Sequence, residues 1–224
     1  MRVNGKVKSM QTAALWDWVY DRDLKSYAQS RPYIGDFYEE ATRALMGGVR
    51  LRTDAQSEIC PDIVLPSLDA YVEVKSVGRG NSRTIYEHRI EKYKWLASRH
   101  PVYFAFWFHS MDCTELTTLF KLQADLAAST QCVCVIRADD VFAAYYQGKL
   151  RATSYSGERR GGHFSKMPAR TLPASFFRRV KLMAMPLGSP FKVYGQTIQG
   201  VQIGGNFPWE KVLDYGYVRR ETDG

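Results

Sequence analysis

Only four cysteines occur in 224 residues, Cys60, Cys113, Cys132 and Cys134, and their spacing builds no zinc site. Cys132-Val-Cys134 lies in an apparent strand, where alternation points both sulfurs to one face as small core residues. Reduced thiols of this kind suit a cytoplasmic setting. Long apolar runs are missing: no stretch approaches the roughly 20 residues that span a bilayer, and the polar start Met-Arg-Val-Asn-Gly-Lys has no signal-peptide core. The expectation is a soluble intracellular protein without a membrane partner. The histidines, His88, His100, His109 and His163, are scattered, with neither His-Glu-x-x-His nor His/Cys spacing. No serine or cysteine nucleophile motif stands out. Gly78-Arg-Gly80 lacks the Gly-Lys-Ser/Thr of a phosphate loop, which argues against an ATPase.

Hydrophobic content of 45% and charged content of 24% are ordinary for a globular chain, long enough for one sizeable domain with elaborations. The net charge of +8 is local. Between Lys149 and Lys181 nine basic residues face one acid, Glu158, leaving 22 basic and 22 acidic residues elsewhere. Within that segment Arg159, Arg160, His163, Lys166, Arg170, Arg178 and Arg179 are interleaved with aromatics such as Phe164, Phe176 and Phe177. Such a patch suits a polyanion, because each neutralised phosphate releases counterions.

The first 30 residues hold a helical-looking stretch, Met10 to Tyr27, read as a packing extension. A clearer helix is expected from about Asp36 to Met46, with an apolar stripe of Phe37, Ala41, Ala44 and Leu45 and a stop at Gly47-Gly48. Three strands are expected next, Val49 to Thr53, Ile59 to Leu65 and Tyr71 to Val77, the last two joined by a turn at Pro66 to Asp69. A helix from about Thr84 to Ser98 leads to Val102 to Phe108, which reads as a strand buried on both faces. A helix near Thr114 to Ala128 and a strand Cys132 to Ile136 extend the layer. From Lys149 on, no clean period survives. The organisation expected is an N-terminal helical extension over 1–33, an α/β core over 34–148 and a basic C-terminal extension over 149–224.

The chemistry concentrates between residues 60 and 75. A hairpin centred between Ser67 and Leu68 places Asp62 directly opposite Glu73, with Cβ atoms roughly 5 Å apart. Lys75 follows two residues beyond Glu73 on the same face, while Val72 and Val74 point into a core. Two carboxylates at that separation repel by roughly 3 kcal/mol at an effective dielectric near 20, so a compensating cation is expected. Lys75 offsets part of the repulsion. The oxygen-only donor set suits a hard ion, Mg²⁺ or Mn²⁺, which keeps positions open for a phosphate oxygen. An ordinary salt bridge on a solvent-facing hairpin is the alternative.

Helix, three strands, helix, strand, with Pro61-Asp62 on the second strand and Glu73-Val74-Lys75 on the third, resembles the PD-(D/E)xK nuclease superfamily of restriction endonucleases and Holliday-junction resolvases. The resemblance covers about Ile34 to Phe108 and implies a restriction-endonuclease-like αβββαβ core, a mixed central sheet flanked by helices. Gly35-Asp-Phe-Tyr-Glu39 is similar to the Gly-x-x-x-Glu opening of the first helix in resolvase-like members, which implies Glu39 as a further metal ligand. Asp36-x-x-Glu39 is equally a capping-box pattern, and a helical wheel sets Glu39 nearly opposite the apolar stripe, with Glu40 as its substitute. Where some exonuclease-type members carry Gln-x-x-x-Tyr, this chain has Arg89-Ile-Glu-Lys-Tyr93.

The resemblance implies a Mg²⁺-dependent DNA endonuclease in which Asp62, Glu73 and the Val74 backbone carbonyl hold the ion and Lys75 orients the attacking water. Arg79, Arg83 and the basic segment after Lys149 are expected to bind flanking phosphates. A branched-DNA resolvase and a non-catalytic nucleic-acid-binding protein on the same fold are the alternatives, RNA remains open as substrate, and a two-fold homodimer would suit cutting both strands.

Overall fold

Apolar runs that alternate with amphipathic helices must bury a sheet between two helical layers. The computed structural model describes residues 23–24, 27–51, 61–77, 83–109, 117–128, 131–159, 163–173, 176–177, 191–198 and 202–203. Its centre is a six-stranded mixed sheet in the order β13-β8-β6-β4-β3-β2. These strands are β2 (Val49–Arg50), β3 (Ile63–Leu65), β4 (Ala70–Val77), β6 (Val102–His109), β8 (Gln131–Arg137) and β13 (Gln202–Ile203). β4 runs parallel to β6, and β13 to β8, while the other pairs are antiparallel. The four helices described are α1 (Tyr27–Met46), α2 (Glu87–Ala97), α3 (Leu119–Ala128) and α4 (Ala138–Tyr146).

Alternation along β4 and β6 divides the core. Val72, Val74, Ala105 and Trp107 pack with Phe37, Tyr38 and Ala41 of α1 and Leu122 and Leu126 of α3. Val77, Phe104, Phe106 and Phe108 pack with Ile90 and Tyr93 of α2 and Val141 and Phe142 of α4. β6 is covered on both faces, as a continuous apolar run requires.

The hairpin register is the expected one. Ile63 pairs with Val72, Val64 with Tyr71 and Leu65 with Ala70, which centres the turn between Ser67 and Leu68. Pro66–Leu68 form a single 3₁₀ turn, and Asp69 closes it in the left-handed region at φ 46. Upstream, Gly47 ends α1 at φ 71, and a Cβ on Gly48 would come within 2.5 Å of Ile63 and 2.8 Å of the Val64 carbonyl, so only glycine lets β2 approach β3.

Several boundaries differ from expectation. α1 begins at Tyr27, nine residues before Asp36, and carries Pro32 and Gly35 inside it. Pro32, the sixth helical residue, has no amide to donate back along the helix, and burial of Ile34, Phe37 and Tyr38 holds the helix beyond it. Asp36 is therefore mid-helix and caps nothing, which removes the capping-box reading of Asp36-Glu39. Thr84–Tyr86 form β5, not the first turn of a helix, because they pair with β10 (His163–Thr171). α4 has no counterpart in the expected order of elements. The N-terminal stretch Met10 to Tyr27 lies outside the described residues except at its end.

The segment after Lys149 contributes to this architecture. β9 (Arg151–Arg159) and β10 pair over nine residues each as a long antiparallel ribbon, joined to the core through β5. Two strands of a short hairpin, β11 (Phe191–Val193) and β12 (Gln196–Ile198), send Val193 and Ile198 into the α1 side of the core, and Phe177 enters the α2 side. Two two-residue strands, β1 (Asp23–Leu24) and β7 (Thr117–Thr118), pair with each other. Among the described residues no helix is long and apolar enough to cross a membrane.

At the end of β6, His109 is 1% exposed, its ring stacks on Tyr38 at 5.3 Å, and neither ring nitrogen has a hydrogen-bond partner among the described residues. Burial pulls its pKa down from 6.5 to about 4. The unfolded chain therefore binds the imidazole proton first, so the stability contributed by neutral His109 is complete above pH 6.5 and is lost as pH falls toward 4. Between pH 7 and pH 5 this group alone should cost about 2 kcal/mol in urea unfolding, and His109→Phe should flatten that part of the profile.

Candidate active site

β4 alternates outward and inward, and on its α2 face it presents a carboxylate where its neighbours present apolar groups. Glu73 is 1% exposed. An ionised carboxylate at that depth persists only if it is paired and hydrogen-bonded, and three groups do this. Lys75, two residues along the same strand, donates from Nζ to Oε1. From α2, Arg89 Nη1 donates to Oε1 at 3.1 Å, and the Tyr93 hydroxyl donates to Oε2. Burial alone would push the Glu73 pKa up, but Lys75 and Arg89 outweigh it and hold it below the usual carboxylate range. The Tyr93 hydroxyl is driven well above its usual pKa by burial and by the Glu73 charge, so it stays a donor.

Asp62 stands one residue before β3, where the ladder to β4 ends. Its main-chain carbonyl accepts from the Leu51 amide at 2.8 Å, and its Oδ2 accepts the Val74 amide at 2.7 Å, an amide that the shortened strand would leave unpaired. Burial, then the charge of Glu73, pushes the Asp62 carboxyl up to about 8. Of the two coupled acids the charge rests on Glu73 and the proton on Asp62.

Glu39 of α1 completes the group. It is part-buried, 29% exposed, and close enough to the hairpin for its charge to repel those of Glu73 and Asp62. The helical wheel misplaced it because the side of α1 away from the apolar stripe is covered by β2 and by the β11–β12 turn. Arg50 of β2 donates through Nη2 to Glu39 and, at 2.6 Å, to Asp36 Oδ1. Glu40 turns to Arg43 at 2.6 Å and stands 4.0 Å from Arg50, which leaves Glu39 as the acid beside the hairpin.

The charges nearly cancel. Asp36, Glu39, Glu40, Asp62 and Glu73 are set against Arg43, Arg50, Lys75 and Arg89, one cation short, and the proton on Asp62 makes up the difference at neutral pH. Among the described residues no three His, Cys, Asp or Glu side chains stand close enough together to hold a metal ion as arranged. The donor chemistry nonetheless fits a hard cation. Asp62 and Glu73 would hold it with the Val74 carbonyl, and Glu39 is the third carboxylate, turned at present onto Arg50.

The expected phosphate-binding residues divide. Arg83 is 8% exposed, its Nη1 has no hydrogen-bond partner among the described residues, and burial lowers its pKa. Arg170 is engaged instead by Glu87 at 2.7 Å and lies 5.5 Å over the Tyr145 ring. The ribbon register sets Arg159 opposite His163 and Lys166 opposite Ser156. Arg79, Arg160, Arg178 and Arg179 lie outside the described residues. Sequence reasoning noted Arg89 and Tyr93 only as a departure from a motif, although their i, i+4 spacing puts both on one helix face. Arg50 and Tyr194 were not anticipated, and no local pattern marks them, while Asp36 was marked only as a helix cap.

Compared with protein-family models, with curated proteins and with solved structures, the chain finds no match. Removing the Tyr93 hydroxyl by Tyr93→Phe should leave Glu73 Oε2 without its donor and cost about 1–3 kcal/mol in urea unfolding. Arg89→Met should cost less, because the arginine is 42% exposed.

Proposed function

We propose that this chain is a Mg²⁺- or Mn²⁺-dependent deoxyribonuclease of the PD-(D/E)xK kind. The observation that carries the reading is the meeting of Asp62, Glu73 and Lys75 at the open end of one hairpin, Asp62 on the Val74 amide and Lys75 on Glu73. With such an ion and one phosphodiester charge in place and Asp62 ionised, the nine charged side chains of the site come to neutrality. The ion supplies Lewis acidity at the scissile phosphate and lowers the pKa of water.

The chain's own groups do the rest. Glu73 stays charged because Lys75, Arg89 and Tyr93 hold it, so its geometry is set before substrate arrives. Lys75 Nζ is anchored on Glu73 Oε1, where it orients a water toward phosphorus and stabilises the charge that develops on the phosphoryl oxygens. Arg83, a buried cation with no acidic partner among the described residues, would suit a backbone phosphate. The β9–β10 ribbon, with Arg159, His163 and Lys166, would contact flanking phosphates, and by family resemblance the cut leaves a 5′-phosphate.

One observation favours a second reading. Both Glu73 oxygens are already engaged by protein donors, as in a nucleic-acid-binding protein that keeps the arrangement without turnover. Incubation of supercoiled, linear and four-way-junction DNA with Mg²⁺ or with chelator separates the two: the nuclease cuts only with the ion, whereas the binding protein retains DNA equally in both. Preference for the junction over linear duplex would identify a resolvase. Lys75→Ala should lower the cleavage rate by about 10²-fold or more, and Asp62→Asn should abolish it, both with unchanged circular dichroism. Full activity in either variant removes the proposed chemistry. Metal affinity should rise about tenfold per pH unit below 8 as Asp62 gives up its proton, and should level above that.

A further inference from the structure

We infer that Arg50 is the internal cation that holds Glu39 until a divalent ion takes it, and that Asp36 and Tyr194 are the berth that keeps the guanidinium once Glu39 leaves. The inference rests on the metal-dependent reading above and concerns residues that reading does not use.

Arg50 is well buried, with 11% of its side chain exposed. A guanidinium at that depth needs several acceptors, and it has them on two sides. Nη2 donates to both Glu39 and Asp36, and Nη1 donates to the Tyr194 hydroxyl at 3.1 Å. That hydroxyl in turn donates to Asp36 Oδ2. If Glu39 rotates away, Arg50 keeps a carboxylate at 2.6 Å and a hydroxyl, so no buried charge is stranded. Glu39 has no such second partner: Arg50 is the cation that holds its carboxylate, which is 29% exposed. One cation at a time satisfies it, and the third carboxylate that the metal set lacks is the one Arg50 retains.

Tyr194 indicates that the berth is built and not incidental. It stands at the turn between β11 and β12 at φ 48, one of two non-glycine residues with positive φ among the described residues. A bulky side chain in that region costs of order 1–3 kcal/mol and persists where the surroundings impose it. Val193 and Ile198, anchored in the core on either side of the turn, impose it here. The C-terminal hairpin is thereby a structural part of a site whose acids lie more than a hundred residues earlier.

Mn²⁺ titration of the full chain by calorimetry and by loss of the free-ion paramagnetic resonance signal, without DNA, tests this. Arg50→Gln should tighten Mn²⁺ binding about tenfold, the weight of one hydrogen bond between charged groups. The gain should vanish to within about twofold in the Glu39→Gln background, because the two residues then no longer compete. Mere loss of a nearby positive charge would tighten binding in both backgrounds, which overturns the inference, as does unchanged or weaker binding in Arg50→Gln. If Arg50→Gln does not fold, Tyr194→Phe decides: a weakened berth keeps Arg50 on Glu39 and weakens Mn²⁺ binding, whereas unchanged or tighter binding overturns the inference. A wild-type chain that binds Mn²⁺ and cuts DNA while Arg50→Gln behaves identically removes this inference alone. A wild-type chain that binds no Mn²⁺ removes the metal-dependent reading with it.

Discussion

One buried negative charge, on Glu73, organises the surroundings of the site. Withdrawing a carboxylate from water costs several kcal/mol unless donors replace the lost solvent, and the replacements come from two elements. Lys75 lies on the same strand, and Arg89 and Tyr93 lie one turn apart on α2. The requirement to satisfy Glu73 thus ties β4 to α2 with a polar lock inside an otherwise apolar layer of Ile90, Phe104 and Phe106. Removing one partner from such a group is more costly than the partnership itself is worth, which makes the arrangement specific even where it adds little stability.

The same constraint divides labour between the two acids of the hairpin. Because Glu73 takes the available cations, Asp62 is left with the Val74 amide and the repulsion of Glu73 and Glu39, and keeps its proton. On the metal-dependent reading proposed above, a protonated acid beside an ionised one in a desolvated corner would exchange its proton for the ion. Charge on the α1 side follows a parallel rule: Arg50 balances Asp36 and Glu39, and Tyr194 of the β11–β12 turn bonds both Arg50 and Asp36. The ionisable groups gathered at the hairpin therefore nearly all have a counterpart.

Much of this was legible in the chain, for local reasons. The turn at Pro66 to Asp69 sets the register of β3 on β4, and register sets Asp62 beside Glu73 with Lys75 on the same face. The apolar run of β6 announced a strand buried on both faces, and Gly47-Gly48 announced the end of α1. Other features failed for reasons of distance. Thr84–Tyr86 become a strand only because β10, some eighty residues later, supplies a partner, and helix period alone had absorbed them into α2. The apolar stripe placed the helix start at about Asp36, yet α1 begins at Tyr27, with Ile34 buried ahead of the stripe.

The amino-acid sequence by itself determined the α/β layering, the hairpin and the three residues that meet on it, since these depend on periodicity and turn chemistry within about fifteen residues. Only the tertiary structure decided which acid is charged, which of Glu39 and Glu40 faces the hairpin, and that Arg50, Arg89, Tyr93 and Tyr194 complete the group. Protonation and pairing are set by desolvation and by charges brought together across the fold. Those quantities exist only once segments far apart in the chain have excluded water from the same few ångströms.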